Sequence, residues 1–164
     1  MFIPAGMIAT ADIFKKENIT EGVEVFFTGL FTSHFGIFQN IPISRFGKIA
    51  QISKEKYWWN NSYTELFVIE TAPFGGISGA PLFYSSDAIK DSVGLVSVPP
   101  TLYLTGIISG YFQNSEKQNN SIKQSFESSG LAGVVPAYKL MEILNLPSVG
   151  LERDNELKRL QKEK

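Results

Sequence analysis

Phe74-Gly75-Gly76-Ile77-Ser78-Gly79-Ala80-Pro81-Leu82-Phe83 is the stretch that decides the fold. Gly75, Gly76 and Gly79 bracket Ser78, so the backbone can take positive φ and bend sharply on either side of it. Ile77 is the one β-branched side chain of the run, stiff and apolar, and is expected to point into the fold and anchor what the glycines bend. The residues after the serine settle the class. A strand-to-helix elbow of the G-x-S-x-G kind needs a second glycine two residues on and a helix behind it. Here Ala80 takes that place, and Pro81-Leu82-Phe83-Tyr84 runs on as apolar and aromatic residues, which predicts a strand over Ala80 to Tyr84.

The same strand chemistry recurs on both sides of the loop. Upstream it covers Val23 to Leu30, Arg45 to Ile52, Lys56 to Trp59 and Glu65 to Thr71; downstream, Gly94 to Val98, Leu102 to Phe112 and Leu131 to Val135. Short β segments punctuated by Gly, Pro, Asn and Ser predict an all-β antiparallel barrel or sandwich rather than alternating β and α units. Helix signals are confined to the ends. Thr10 or Asp12 can start a short turn running to Lys16, and Pro136 precedes Leu140, Ile143 and Leu144 at helical spacing, predicting a helix that lays its apolar face on the barrel and stops at Pro147 and Gly150. The polar run Gln113 to Gly130 reads as a surface loop. Three segments result: a lead-in over 1–21, the barrel with its helix over 22–146, and a charged tail over 147–164, a solvated helix or frayed end. Trp58 and Trp59, adjacent on a strand, face opposite sides, so one is expected in the core and the other as a lid or interface contact.

Composition narrows the chemistry. The 164 residues fit one core, and 43% hydrophobic with 19% charged residues at a net charge of -1 is not the electrostatic profile of a nucleic-acid binder. The absence of cysteine excludes disulfides, thiol catalysis and Cys-ligated clusters, and a single histidine, His34, excludes an all-His metal site. No metal or organic cofactor is implied, and carboxylate or hydroxyl chemistry is left. The longest uncharged stretch, Ser92 to Ser115, holds Pro99-Pro100 and many hydroxyls, and reads as two strands around a turn rather than a membrane span. The start at Met1 lacks a signal-peptide pattern, which favours a cytoplasmic location.

Ser78 therefore carries the functional reading. In a turn of this kind the N–H groups of Gly76 and Ser78 can converge on one concavity beside the Ser78 hydroxyl. Acyl transfer needs that arrangement: a nucleophile about 3 Å from a carbonyl carbon, and fixed donors worth roughly 3–4 kcal/mol to the developing oxyanion. The alternative is a tight structural turn with no chemistry.

The run Gly76-Ile77-Ser78-Gly79-Ala80-Pro81 ahead of an apolar strand resembles the nucleophile loop of trypsin-like serine peptidases, in particular their bacterial trypsin-like and HtrA-like branch. The resemblance extends to Leu104-Thr105-Gly106-Ile107-Ile108-Ser109-Gly110, similar to the strand leading to that family's substrate-binding edge. It also takes in Val25 to Leu30 and Ile41 to Ile49 as first strands, and Leu131 to Ala137 as the ending. It implies the C-terminal antiparallel β-barrel of the trypsin-like double-barrel fold, followed by a helix. It also implies Ser78 as nucleophile, Gly76 and Ser78 as oxyanion donors, and Ser109 and Gly110 along the edge where an extended peptide or protein substrate pairs. Thr71 and Ala72 would fall near the base of the primary specificity pocket, where the lack of an acid disfavours basic side chains and leaves a small or apolar one.

Two departures matter. Ile77 stands where vertebrate-type trypsins carry an aspartate that pairs with a new N-terminus, so that activation mechanism is not supported. The family's two six-stranded barrels face each other, and the catalytic His and Asp come from the first, which this chain does not contain by this alignment. His34 precedes Ser78 with only Glu55, Glu65 and Glu70 as acids between them, and reads as a loop residue rather than the base. The implied partner is an N-terminal barrel supplied by a longer chain or another one. The other reading is a catalytically inactive peptide-binding or protein-interaction module of the same fold.

Overall fold

A computed structural model of the chain describes residues 3–30, 37–39, 41–73, 75–86, 89–90, 96–98, 100–113 and 128–162. The chain runs through a 3-10 turn at Ala5–Met7, helix α1 (Ala11–Lys16), strands β1 (Glu24–Leu30), β2 (Pro42–Ile52), β3 (Tyr57–Trp59), β4 (Ser62–Thr64), β5 (Phe67–Glu70), β6 (Pro81–Ser85), β7 (Ile89–Lys90), β8 (Val96–Val98), β9 (Leu102–Gln113) and β10 (Ser128–Pro136), then helices α2 (Ala137–Leu144) and α3 (Pro147–Lys162).

Six strands close into an antiparallel barrel in the order β1-β2-β5-β10-β9-β6. Within that ring β6, β1, β2 and β5 are neighbours in the spatial order 4-1-2-3 of a Greek key. Closure leaves the barrel without a free edge over its paired length. Alternation explains the inside: Val25 and Phe27 of β1 are buried while Phe26 between them points out, and with Ile49, Phe67, Ile69, Leu82, Ile108, Ala132 and Val134 they form one core. Phe26 instead joins Phe46 and Phe83 in a row of rings across the outer face of β2, β1 and β6, with centroids 6.3 and 5.6 Å apart.

Where β9 crosses β10, only glycine fits at 106. A methyl there would lie 2.4 Å from Val134 Cγ1 and 2.7 Å from the Val135 carbonyl oxygen, so the two strands meet backbone against side chain. The one fully buried hydroxyl in this region, Thr105, donates to the Leu82 carbonyl at 3.1 Å.

The N-terminal segment belongs to the barrel. The Ala9 N–H donates to the Leu104 carbonyl at 2.9 Å. Thr10 caps α1 by accepting from the Ile13 N–H, and Ile13, Phe14 and Ile19 then pack against the core. Ala137, Leu140, Met141 and Leu144 of α2, spaced i, i+3, i+4, i+7, cover Ile8 and Leu104 on the outer face of β9. A polar clasp fixes the start of that helix. Tyr138 donates to Glu65, and Lys139 pairs with Glu65 at 3.0 Å and with Glu142 at 2.9 Å. The Tyr138 hydrogen bond, with help from Lys139, holds the Glu65 carboxyl below its ordinary range, while burial first and Glu65 second push the Tyr138 phenol up.

Several sequence expectations need correction. The Ile143 side chain lies 55% exposed, because the helix face centred on Leu140 and Leu144 turns it outward. Helix α2 ends at Leu144, ahead of Pro147, and the tail is helical, one of the two forms expected for it, but Pro147 also opens that second helix and Gly150 lies inside it rather than stopping it. The strand read over Leu131 to Val135 begins earlier, at Ser128, so the polar loop is shorter than Gln113 to Gly130, and its residues 114–127 lie outside the described ones. Strand β4 was not anticipated at all. No helix among the described residues is long and apolar enough to cross a membrane.

Candidate functional site

The Ser78 loop connects β5 to β6, and each of its bends has a local cause. Gly76 and Gly79 take φ of 88° and 84°, a region open to glycine and costly for other side chains. Ile77, Ser78, Gly79 and Ala80 form a turn closed by the Ala80 N–H donating to the Ile77 carbonyl at 2.9 Å, with Gly79 at the position where a type II turn demands positive φ. Two further bonds pin this turn to β9: the Gly79 N–H donates to the Ile108 carbonyl at 2.7 Å, and the Ile108 N–H to the Ala80 carbonyl at 2.9 Å.

Ile77 is 2% exposed within the core cluster, and a methyl on Gly29 would lie 3.4 Å from its Cγ2, so the end of β1 packs directly on the anchor. Ser78 itself is exposed, and β6 begins at Pro81, one residue later than the strand expected from Ala80. Among the described residues neither the Ser78 hydroxyl nor the N–H groups of Gly76 and Ser78 have a hydrogen-bond partner. Phe74 lies outside the described residues, as does His34.

The fold brings Ser109 and Gly110 to this loop. A methyl on Gly110 would stand 3.9 Å from Ser78 Oγ. The pairing of β6 with β9 ends at Pro81 opposite Ile107, so beyond the two bonds to Ile108 no described strand covers Ser109 and Gly110 on that side. On the other side Gly110 stays paired with Gly133 of β10, and a bulge at Ser109 shifts the register there. The result is a short open strand edge beside a serine hydroxyl that has no partner among the described residues.

Thr71 and Ala72 are placed differently. Thr71 is buried and structural, its hydroxyl donating to the Phe46 carbonyl at 3.1 Å and its N–H to the Gly130 carbonyl at 2.9 Å. Ala72 is exposed, and its carbonyl accepts from Tyr111 at 2.9 Å and from Arg45 at 3.4 Å, which ties the start of the loop to β9 one residue past Gly110.

One residue at the site was missed by its role. The β3–β4 hairpin folds back so that Trp59 Nε1 donates to Ser109 Oγ at 2.8 Å, and its ring sits edge-on to Phe112 with centroids 4.8 Å apart. The signal was present in Asn60-Asn61, whose φ values of 48° and 62° fit a two-residue hairpin turn with both residues left-handed. The expected split of the pair holds in part: Trp58 is 62% exposed, but Trp59 is half-buried at the site rather than in the barrel core.

Other features lie elsewhere or are missing. A cavity of about 420 Å³ opens beneath α1, lined by Phe14, Phe67, Glu21, Glu65 and Tyr138, and none of Ser78, Ser109 or Gly110 borders it. Among the described residues no three His, Cys, Asp or Glu side chains gather as metal ligands would. No protein-family model, curated protein or solved structure matches the chain. The site is therefore read from its own residues.

Proposed function

We propose that this chain is the nucleophile-bearing barrel of a trypsin-like serine endopeptidase, acting on peptide or protein substrates with a general base and orienting acid contributed by a second, N-terminal barrel. One observation carries the reading: an exposed Ser78 hydroxyl sits at a glycine-bent turn, neither it nor the Gly76 and Ser78 N–H groups has a hydrogen-bond partner among the described residues, and all lie beside the open Ser109–Gly110 edge. A closed six-stranded antiparallel barrel supports it, being the unit the sequence resemblance implies.

The roles follow from the chemistry. An extended peptide pairs its backbone along Ser109 and Gly110. Ser78 Oγ attacks the scissile carbonyl carbon while the base removes its proton, and the Gly76 and Ser78 N–H groups receive the oxyanion. The base then returns the proton to the leaving amine, and water releases the acyl group by the reverse sequence. Thr71, bonded within the fold, holds the loop rather than touching substrate, and Ala72 presents no charge to a specificity pocket.

The single histidine favours a second reading, a catalytically inactive peptide-binding module that keeps the groove. Ester and peptide turnover separates the two. Without the base, the oxyanion donors and binding leave at best about 10³–10⁴-fold over water, so the chain alone should show no meaningful peptide hydrolysis. Adding imidazole as an external base should raise cleavage of an activated nitrophenyl ester above the rate that imidazole alone gives, and Ser78→Ala should abolish that excess. Equal imidazole-supported cleavage in Ser78→Ala would overturn the peptidase reading, and strong turnover without imidazole would place the base within this chain.

A further inference from the structure

We propose that Trp59 sets which side chain is accepted beside Ser78, by supplying across the groove the apolar wall that Gly110 lacks. The proposal rests on the reading of Ser109–Gly110 as a peptide edge and deepens it to a substrate class.

The Trp59 ring borders the space where a side chain at 110 would stand. A methyl on Gly110 would lie 3.4 Å from Trp59 Cζ2 and 3.9 Å from Ser78 Oγ, so indole and hydroxyl converge on one point from two directions. A residue larger than alanine at 110 would push the indole out. Gly133, the cross-strand partner of Gly110, extends the platform, since a methyl there would stand 3.7 Å from Trp59 Cη2 and 3.6 Å from Phe112 Cε2. Two glycines from adjacent strands thus leave open space, and an aromatic from a separate hairpin walls it on one side.

The indole is held in place. Its N–H donates to Ser109 Oγ, Phe112 meets its ring edge to face, and Tyr57 at the base of the same hairpin donates to Gln51 at 2.7 Å and packs on Phe112. Trp58, on the opposite face, packs on Tyr63 with centroids 5.1 Å apart and takes no part. A rigid aromatic wall selects at lower entropic cost than a mobile one.

Strand geometry then defines the subsite. Side chains of a strand added at a sheet edge alternate between faces. The substrate residue beside Gly110 that points to the face of the missing Cβ enters between Trp59 and Ser78. The atoms nearest the missing Cβ are indole carbons and the Ser78 hydroxyl, with no charged group among them, so a side chain there is desolvated against the ring and finds no charge to pair with. The class is peptides carrying an uncharged apolar or aromatic residue at that position, with acidic and basic ones rejected.

Amide and indole N–H shifts of the isotopically labelled full chain test this, titrated with blocked four-residue peptides differing at one position in Gly, Leu, Phe, Asp or Lys. Trp58→Phe identifies the Trp59 indole signal. Leu and Phe peptides should shift the Ser109 and Gly110 amides together with that indole, and bind roughly three- to tenfold more tightly than the Gly, Asp and Lys ones. Trp59→Ala should flatten the ranking while the edge amides still respond. Trp59→Phe keeps a ring without the Ser109 bond and should keep most of the ranking, which covers the case where the alanine variant loosens the hairpin. A ranking unchanged in both variants, with edge shifts intact, would overturn the role of Trp59 and leave the peptide edge standing. No shift of Ser109 or Gly110 with any peptide would overturn the edge and the proposal with it.

Discussion

Ile77→Ala tests how the Ser78 loop is held. The side chain is 2% exposed and seated in the core, with Cγ2 within 3.4 Å of where a methyl on Gly29 would lie. Truncation removes three carbons from a packed site at the rim of the barrel. A buried Ile→Ala change costs about 2–5 kcal/mol, and a site bounded by backbone on the β1 side collapses little, which argues for about 3 kcal/mol here. With a urea slope of about 2 kcal/mol/M the unfolding midpoint should fall by about 1.5 M. Ile77→Val should cost only about 1 kcal/mol. The packing also predicts a coupling: Gly29→Ala, which makes ordinary contact in the wild type, should recover about 1 kcal/mol in the Ile77→Ala background by filling the space above it. Urea unfolding of the five proteins, followed by tyrosine and tryptophan fluorescence, measures both terms. A loss under 0.5 kcal/mol for Ile77→Ala, or strict additivity with Gly29→Ala, would refute the anchoring.

Gly106→Ala should destabilise by about 1–3 kcal/mol or more, lowering the thermal midpoint by several degrees, because its methyl meets Val134 Cγ1 at 2.4 Å and a carbonyl oxygen at 2.7 Å; an unchanged midpoint would count against the β9–β10 contact. Tyr138→Phe removes the bond that does most to depress Glu65. A carboxyl lowered in the folded state stabilises above its unfolded pKa, about 4.3, and that contribution is lost as pH falls through the folded value. The variant should lose about 1 kcal/mol near neutrality and show a shallower loss below about pH 4, whereas parallel acid-unfolding curves would contradict the clasp. Phe46, 73% exposed, sits on the outer face of the barrel with Phe26 and Phe83. The isolated chain should bind a hydrophobic dye or self-associate at micromolar concentration, and a dye-silent monomer would argue against an apolar docking face.

Much of this architecture was legible because its signals are local. Val25 to Phe27 carry strand chemistry and the glycines around Ser78 carry turn chemistry in their own residue types, and the capping of α1 by Thr10 is a local signal too. What escaped depends on distance. The closure of β1 on β6, the burial of Ile8 against Leu104 and the arrival of Trp59 at Ser109 are contacts between segments up to about a hundred residues apart, which no window of sequence contains. The β4 strand, Ser62-Tyr63-Thr64, is too short and polar to stand out, and only the Asn60-Asn61 turn marks it. Pro147 serves both as the boundary after α2 and as a first-turn residue of α3, and Gly150, read as a stop, sits inside that helix. At the site, Ser78 was found through its glycines, while the structural duty of Thr71 came from hydroxyl and backbone bonds to two other strands.

The account stands on Ser78 being a nucleophile rather than a turn residue, and mapping where an acyl group lands tests that most directly. The chain would be treated with an activated acyl ester in the presence of imidazole, digested, and its modified serines quantified by mass spectrometry. Ser44 and Ser148, also exposed but outside the loop, serve as internal references. With N–H groups at Gly76 and Ser78 that have no partner among the described residues, one oxyanion donor being worth about 10²–10³ in rate, Ser78 should be acylated at least about a hundredfold faster than either reference. Labelling of Ser78 at the rate of Ser44 and Ser148 would contradict the claim.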